Sequence, residues 1–166
     1  GFTQCALERG ARHVYAVDVG TGQLAAALRG DQRVSNLEQT DIRLLSPDRL
    51  PEVPDFAACD VSFISLRLVL PSIAALLSPV GEAVVLIKPQ FEVGRSGVGK
   101  GGIVRRAEDR KAAVVRVVEA ARQAGLYVEG LIPSPICGGD GNREYLALFS
   151  KTNNDKTDRI IGSLKY

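Results

Sequence analysis

Three charged residues stand where apolar runs end or begin. Asp60 closes Phe56-Ala57-Ala58-Cys59, Lys88 closes Ala83-Val84-Val85-Leu86-Ile87, and Glu144 opens Tyr145-Leu146-Ala147-Leu148-Phe149. In an open α/β sheet, strand ends of this kind meet at the ligand crevice. A partly buried Asp, Lys or Glu is costly there unless the groups pair with one another or do work. A lysine at the end of an apolar strand loses hydration, which disfavours its charge unless a carboxylate stands beside it. Two acids and a base converging on one crevice point to catalysis, in which the lysine steadies a developing oxyanion or takes its proton.

Two further acids follow apolar segments. Asp18 ends the run before Val19-Gly20-Thr21-Gly22, where a carboxylate can accept both hydroxyls of a ribose. Asp41 follows the next short run, at a height suited to an adenine amino group, and it reads equally well as a turn residue before Ile42. Ser62 and Ser65 offer N-caps for the helix that follows, which frees Asp60 from capping. Between Gly94 and Gly102 the chain is rich in glycine and flanked by Arg95, Lys100, Arg105, Arg106, Arg110 and Lys111. It is not a phosphate-binding loop of the P-loop kind, because no Ser or Thr follows Lys100. A mobile basic lid over a polyanion fits it better, with Arg95, Lys100 and Arg105 as the contacts.

The elements that must position these residues alternate helix and strand. The pattern predicts helices over 3–9, 23–29, 66–77 and 108–124, and strands over 13–18, 34–37, 56–60, 82–88, 126–133 and 143–150. Gly10 and Gly125 stand where helices stop, and Pro71 kinks the third helix. The apolar run 83–87 reads as a strand covered on both faces. The last two strands lack a helix between them, so one of them runs antiparallel. From Lys151 onward the chain is polar and reads as a frayed tail. The fold class is α/β and Rossmann-like, a mostly parallel sheet with an antiparallel strand near the C-terminus. A doubly wound sheet ordinarily opens with a strand and a glycine-rich turn. Here Gly1 stands as the last glycine of that turn, so the first strand is expected to be absent from this chain.

With these residues in place, a resemblance becomes specific. The segments 16–24, Asp60-Val61-Ser62-Phe63-Ile64-Ser65, Lys88-Pro89-Gln90-Phe91-Glu92, 99–105 and Gly141-Asn142-Arg143-Glu144-Tyr145 occur in order and resemble the TlyA, or hemolysin A, group of S-adenosylmethionine-dependent RNA methyltransferases. The resemblance covers residues 1 to about 150 and implies an FtsJ-like ribose 2′-O-methyltransferase domain. It makes Asp60, Lys88 and Glu144 the last three members of a Lys-Asp-Lys-Glu tetrad. Gly1, Asp18, Asp41 and Asp60 become contacts of S-adenosyl-L-methionine. The tetrad's first lysine and the family's N-terminal S4-type RNA-binding domain are not in this chain. Ribosomal RNA or a ribosomal subunit is the implied partner, in the cytoplasm, and no metal is required.

Composition sets the outer limits. At 166 residues and 45% hydrophobic, the chain can bury one domain-sized core. Its formal net charge of +2 makes no global claim on nucleic acid, so any basic surface is local. The three cysteines lack metal-ligand spacing and read as small buried hydrophobes in a reducing compartment. His13 reads as a capping or surface residue. No apolar run approaches the roughly 20 residues of a membrane span, and no strongly basic amphipathic helix supports membrane damage. Unpaired strand edges left by the missing strand would favour self-association. Two other readings compete. A nicotinamide-dependent dehydrogenase fits Asp18 but lacks a hydride-transfer partner, and a non-catalytic RNA-binding module leaves the trio of Asp60, Lys88 and Glu144 without a purpose.

Overall fold

The computed structural model describes residues 1–94, 97–139, 141–153 and 156–164. These form two compact units, residues 1–49 and 50–166, each taken here by itself.

The first unit contains α1 (Phe2–Glu8), β1 (Val14–Val17), α2 (Ala26–Arg29) and β2 (Val34–Leu37), followed by two 3-10 turns, Ile42–Leu44 and Pro47–Arg49. Gly10 takes a left-handed φ of 93° just past α1, as its place at the helix stop predicts. β1 and β2 pair in parallel from Val14↔Val34 to Val17↔Leu37. The expected second helix over 23–29 is shortened to Ala26–Arg29. A side chain competes for its start: Glu38, just past β2, accepts the Leu24 amide at 3.0 Å. Backbone bonds from Leu24 and Gly22, helped by the Asn36 side chain and the Gln23 amide, outweigh desolvation and lower the Glu38 carboxyl from 4.5 to about 2. One carboxylate thus ties the loop after β1 to the end of β2.

The second unit carries a four-stranded sheet ordered β3 (Phe56–Cys59), β4 (Glu82–Ile87), β6 (Tyr145–Ser150) and β5 (Tyr127–Pro133). β3 and β4 are parallel, while β6 runs antiparallel to both of its neighbours, β4 and β5. The expected mixture of parallel strands with one reversed strand near the C-terminus is therefore present. The run 83–87 differs from expectation in one respect. Ala83, Val85 and Ile87 are fully buried, but Val84 and Leu86 on the other face are only half-buried.

Two helices cover this sheet's apolar side chains. α3 (Leu70–Leu76) buries Leu70, Ile73, Ala74 and Leu76. The expected helix over 66–77 splits at its proline: Leu66–Leu68 form a 3-10 turn, and Pro71 sits in the first turn of α3. There its missing N–H costs nothing. α4 (Ala107–Gln123) buries Ala113, Val114, Val117, Val118 and Ala121 along one stripe. Lys151 Nζ donates to the carbonyls of Ala74 at 2.8 Å and Leu77 at 3.2 Å, closing the end of α3. The C-terminal segment is not the frayed tail its polarity suggests. It contains α5 (Thr157–Ser163), which packs on β5, and Lys156 pairs with Glu129 of β5 at 2.6 Å. No described helix is long and apolar enough to cross a membrane.

Two outcomes follow. Phe149 lies in β6 opposite both Ala83 and Val128 and is fully buried, so Phe149→Ala should lower unfolding free energy by about 3–5 kcal/mol in a urea titration. A loss under about 1 kcal/mol would show that the ring is not central to the core. For Glu38, a carboxyl held below its ordinary value stabilises the fold above about pH 4.5, and that contribution disappears as pH falls toward 2. Between pH 5 and 2 the melting temperature should therefore fall further in the native protein than in Glu38→Gln. Parallel curves would refute the tie.

Candidate functional site

The site in the second unit is built where three strand ends meet. Asp60 is the first residue past β3, and Lys88 is the first past β4. Ile87 pairs with Tyr145, so Lys88 and Glu144 extend the facing ends of an antiparallel pair. Lys88 Nζ lies 2.6 Å from Asp60 Oδ1 and donates to Ser62 Oγ at 3.0 Å. The lysine side chain is only 14% exposed and that of Asp60 43% exposed, so the ammonium sits at the base of the pair and the carboxylate faces solvent. Ser62 does not cap a helix, contrary to expectation, because its hydroxyl is engaged by Lys88. Ser65 does cap, accepting the Arg67 amide at 3.2 Å.

Glu144 reaches the same edge without touching Lys88. It is buried, and Gln90 Nε2 donates to its Oε1 at 3.2 Å. Among the described residues Glu144 forms no ion pair. A methyl at Gly138 would lie 2.5 Å from that same oxygen, so any larger residue there would push the carboxylate from its present place. Asp60 alone of the two acids grips the ammonium.

Cys59 lies immediately before Asp60 and is inert. Burial, reinforced by the Asp60 charge and opposed by Lys88, pushes its thiol up to about 12. Cys5 and Cys137 correct the expectation of buried cysteines, since both are exposed. Among the described residues, no group of three His, Cys, Asp or Glu side chains suits a metal ion.

The end of the glycine-rich segment is anchored at Gly102, Val104 and Arg105. Buried Asn142 accepts the Val104 amide on Oδ1 and donates from Nδ2 to the Gly102 carbonyl, both at 2.9 Å. Arg110, also buried, donates to the carbonyls of Val104 at 3.1 Å and Arg105 at 2.7 Å. Lys100 and Arg105 remain exposed on this fixed frame, and Arg95 lies outside the described residues.

Several residues escaped the sequence reading. Glu92 is buried, accepting Ser65 Oγ at 2.6 Å and the Leu66 amide at 2.7 Å. Burial raises its carboxyl above the ordinary range, while these two donors, Arg67 and Arg116 pull it back. Removing it would strand a buried amide at about 1–3 kcal/mol. Phe63 is 91% exposed and holds a left-handed φ of 62°, an unfavourable conformation for a bulky side chain. Its ring meets that of Phe91 at 5.2 Å. The sequence Asp60-Val61-Ser62-Phe63 shows an aromatic three residues after Asp60, but neither its exposure nor its backbone conformation is encoded there.

In the first unit, Asp18 follows β1 and is exposed. Its Oδ1 accepts the Gly20 amide at 2.7 Å, leaving Oδ2 open. That geometry suits a hydroxyl-bearing ligand. Asp41 caps the 3-10 turn after β2, and both of its oxygens bond Arg43, with Nη2 at 2.5 Å from Oδ2. An adenine amino group would have to share that carboxylate. Gly1 is exposed and N-caps α1.

Comparison with known proteins follows from this arrangement. The FtsJ-like methyltransferase family matches residues 1–151. A candidate rRNA methyltransferase, YqxC of Bacillus subtilis (strain 168), is 50% identical over 147 residues, covering 88% of this chain and 52% of the relative. The 16S/23S rRNA (cytidine-2′-O)-methyltransferase TlyA of Mycobacterium tuberculosis (strain ATCC 25618 / H37Rv) is 44% identical over 156 residues, 94% of this chain and 58% of the relative. The solved structure of a candidate hemolysin from Streptococcus thermophilus superposes with a TM-score of 0.90 at 43% identity, covering 97% of this chain and 61% of that one. The chain thus spans a little more than half the length of the curated relatives it matches. The strand-end ion pair, the mixed sheet and the matched span lead to one assignment: the chain belongs to the FtsJ-like methyltransferase family.

Proposed function

We propose that this chain is the catalytic part of an S-adenosylmethionine-dependent enzyme that methylates a ribose 2′-hydroxyl of ribosomal RNA. The observation that carries the reading is the Lys88 ammonium, mostly buried at a strand end and held by Asp60 at 2.6 Å and Ser62 at 3.0 Å. A ribose hydroxyl is a poor nucleophile until its proton leaves or its developing charge is met by a cation. Lys88 supplies that cation from a fixed position, so little reorganisation is needed as the charge appears. Asp60 keeps the ammonium aimed and Ser62 takes one of its protons in a hydrogen bond. Glu144, held by Gln90, adds a second carboxylate at the same edge to orient the incoming hydroxyl. S-adenosylmethionine, when bound, supplies a methyl group on a sulfonium that needs no activation. Positioning therefore accounts for most of the rate.

Asp18 and Asp41 are the proposed cofactor contacts, the first through its open oxygen to ribose hydroxyls and the second beside adenine. Phe63 offers an exposed face on which a nucleobase can stack. Lys100 and Arg105, with Arg95, supply the basic contacts to phosphate. The relatives support RNA as the substrate: the TlyA protein bears the name of a 16S/23S rRNA (cytidine-2′-O)-methyltransferase. Such an enzyme would work in the cytoplasm, where ribosomes assemble. The nicotinamide reading gives way to the family match. A non-catalytic RNA module would have no use for a desolvated lysine paired with an acid.

Lys88→Ala in the intact protein should abolish methyl transfer to ribosomal RNA while S-adenosylmethionine affinity, measured by calorimetry, stays within a few fold. Removing an interaction made chiefly in the transition state lowers turnover and leaves ground-state binding nearly unchanged. Near-native turnover in that variant would overturn the assignment. Replacing Lys100 and Arg105 together by Ala should weaken RNA binding and flatten its dependence on salt concentration by about two phosphate contacts, a slope change of roughly 1.4–1.8. An unchanged slope would remove these two residues from the RNA surface.

A further inference from the structure

Two short segments carry the groups of the proposed site: 60–66, after β3, and 88–92, after β4. They are joined at three levels. Lys88 grips Asp60 and Ser62 at the strand ends. Phe91 meets Phe63 one step further out. Glu92 then accepts Ser65 Oγ and the Leu66 amide, with both of its oxygens engaged. Of the three joints the last is the most enclosed: Glu92 is 3% exposed, whereas Phe63 is nearly bare. Arg116 of α4 donates to the Glu92 carbonyl at 3.4 Å, tying the joint to the long helix.

We propose that Glu92 is a positioning residue: its buried carboxylate clasps the 60–66 segment to the 88–92 turn and thereby sets Ser62 against Lys88 and holds Phe63 in its left-handed conformation. This rests on the catalytic reading of Lys88. The physical argument is one of enclosure. Lys88, Asp60 and Phe63 are all partly open to water, so their mutual contacts alone do not hold a loop in a strained conformation. A carboxylate accepting two bonds away from water, with Arg67 Nε 3.8 Å from one of its oxygens, does so, because opening the clasp breaks two charge-assisted bonds and leaves the Leu66 amide without its acceptor. The segment it fastens begins at Asp60, so a slip of that segment displaces the groups around the ammonium.

The test compares Glu92→Ala, Glu92→Gln and Ser65→Ala in the intact protein, with Lys88→Ala as control. The glutamine can still accept the Leu66 amide and donate to Ser65 Oγ. Glu92→Ala is expected to lower kcat for methyl transfer by about tenfold or more, since misplacement near 1 Å costs on that order or above. S-adenosylmethionine affinity by calorimetry should stay within about twofold. Ser65→Ala should give a smaller loss, and Glu92→Gln should restore most of the rate, which general destabilisation would not predict. Amide hydrogen exchange over 60–66 should accelerate in Glu92→Ala and not in Glu92→Gln. If exchange in that segment is unchanged in Glu92→Ala, the clasp does not exist. If exchange rises while kcat stays within about twofold, the clasp is structural only and the proposal falls. Should Glu92→Ala fail to fold, Ser65→Ala and Glu92→Gln decide by the same two readouts. Full activity in Lys88→Ala would sink the catalytic reading by itself, while exchange would still decide whether Glu92 holds the segment.

Discussion

The proposed chemistry of the second unit depends on a lysine whose side chain is largely withdrawn from water at the end of β4. A cation in that place needs a counter-charge, and the sheet supplies one by topology. Parallel pairing of β3 with β4 brings both carboxyl ends to one edge, so residues 60 and 88 are neighbours although 28 positions apart in sequence. Reversal of β6 then brings its amino end to that edge and with it Glu144. A fully parallel sheet would have put the start of this strand at the opposite edge. The antiparallel strand is thus what adds a second carboxylate to the site.

The two acids have been given different surroundings. Asp60 faces solvent and binds the ammonium directly, whereas Glu144 is enclosed, with Gln90 as its donor and no room at Gly138 for a side chain beside it as it stands. In the proposed mechanism a charge-bearing pair and a separate enclosed carboxylate divide the work, one fixing the cation and the other meeting the hydroxyl. The loop that carries Glu144 is the same loop that fastens the glycine-rich segment through Asn142. The proposed basic contacts at Lys100 and Arg105 therefore lie next to the segment that holds the proposed catalytic acid.

Much of this was legible in the sequence, and the reasons for the failures are physical. Asp60, Lys88 and Glu144 could be read because each interrupts an apolar run, and the strand boundaries fell within a residue or two. The reversed strand could be read from a missing crossover helix. What escaped were polar residues whose partners are distant. Glu38 shortened α2 by taking amides 14 or so positions away, and Glu92 took an amide 26 positions away. No local propensity encodes such bonds. Asn142 looked like a flank of Glu144, and only its burial revealed it as the loop's clamp. The polar composition after Lys151 concealed α5 because its half-buried face is short, Thr157, Ile160, Ile161 and Leu164, and the helix depends on packing against β5 beside the Lys156–Glu129 ion pair.

Phe63 shows how these threads join. A phenylalanine with positive φ and nearly complete exposure is unfavourable twice over, in backbone strain and in apolar surface left to water. Neither helps the fold, and β3, α3 and the core would be satisfied by a small polar residue there. Such a residue persists only if neighbours over-determine it. Those neighbours are Phe91 beside the ring, Lys88 on Ser62 before it and Glu92 on Ser65 and Leu66 after it. All three lie on one five-residue stretch after β4. That stretch thus supplies the cation, shapes the loop around it and props up an aromatic face beside it. On the proposed reading, chemistry and base stacking would be coupled through the end of a single strand, so a substitution that shifts the stretch should disturb both together.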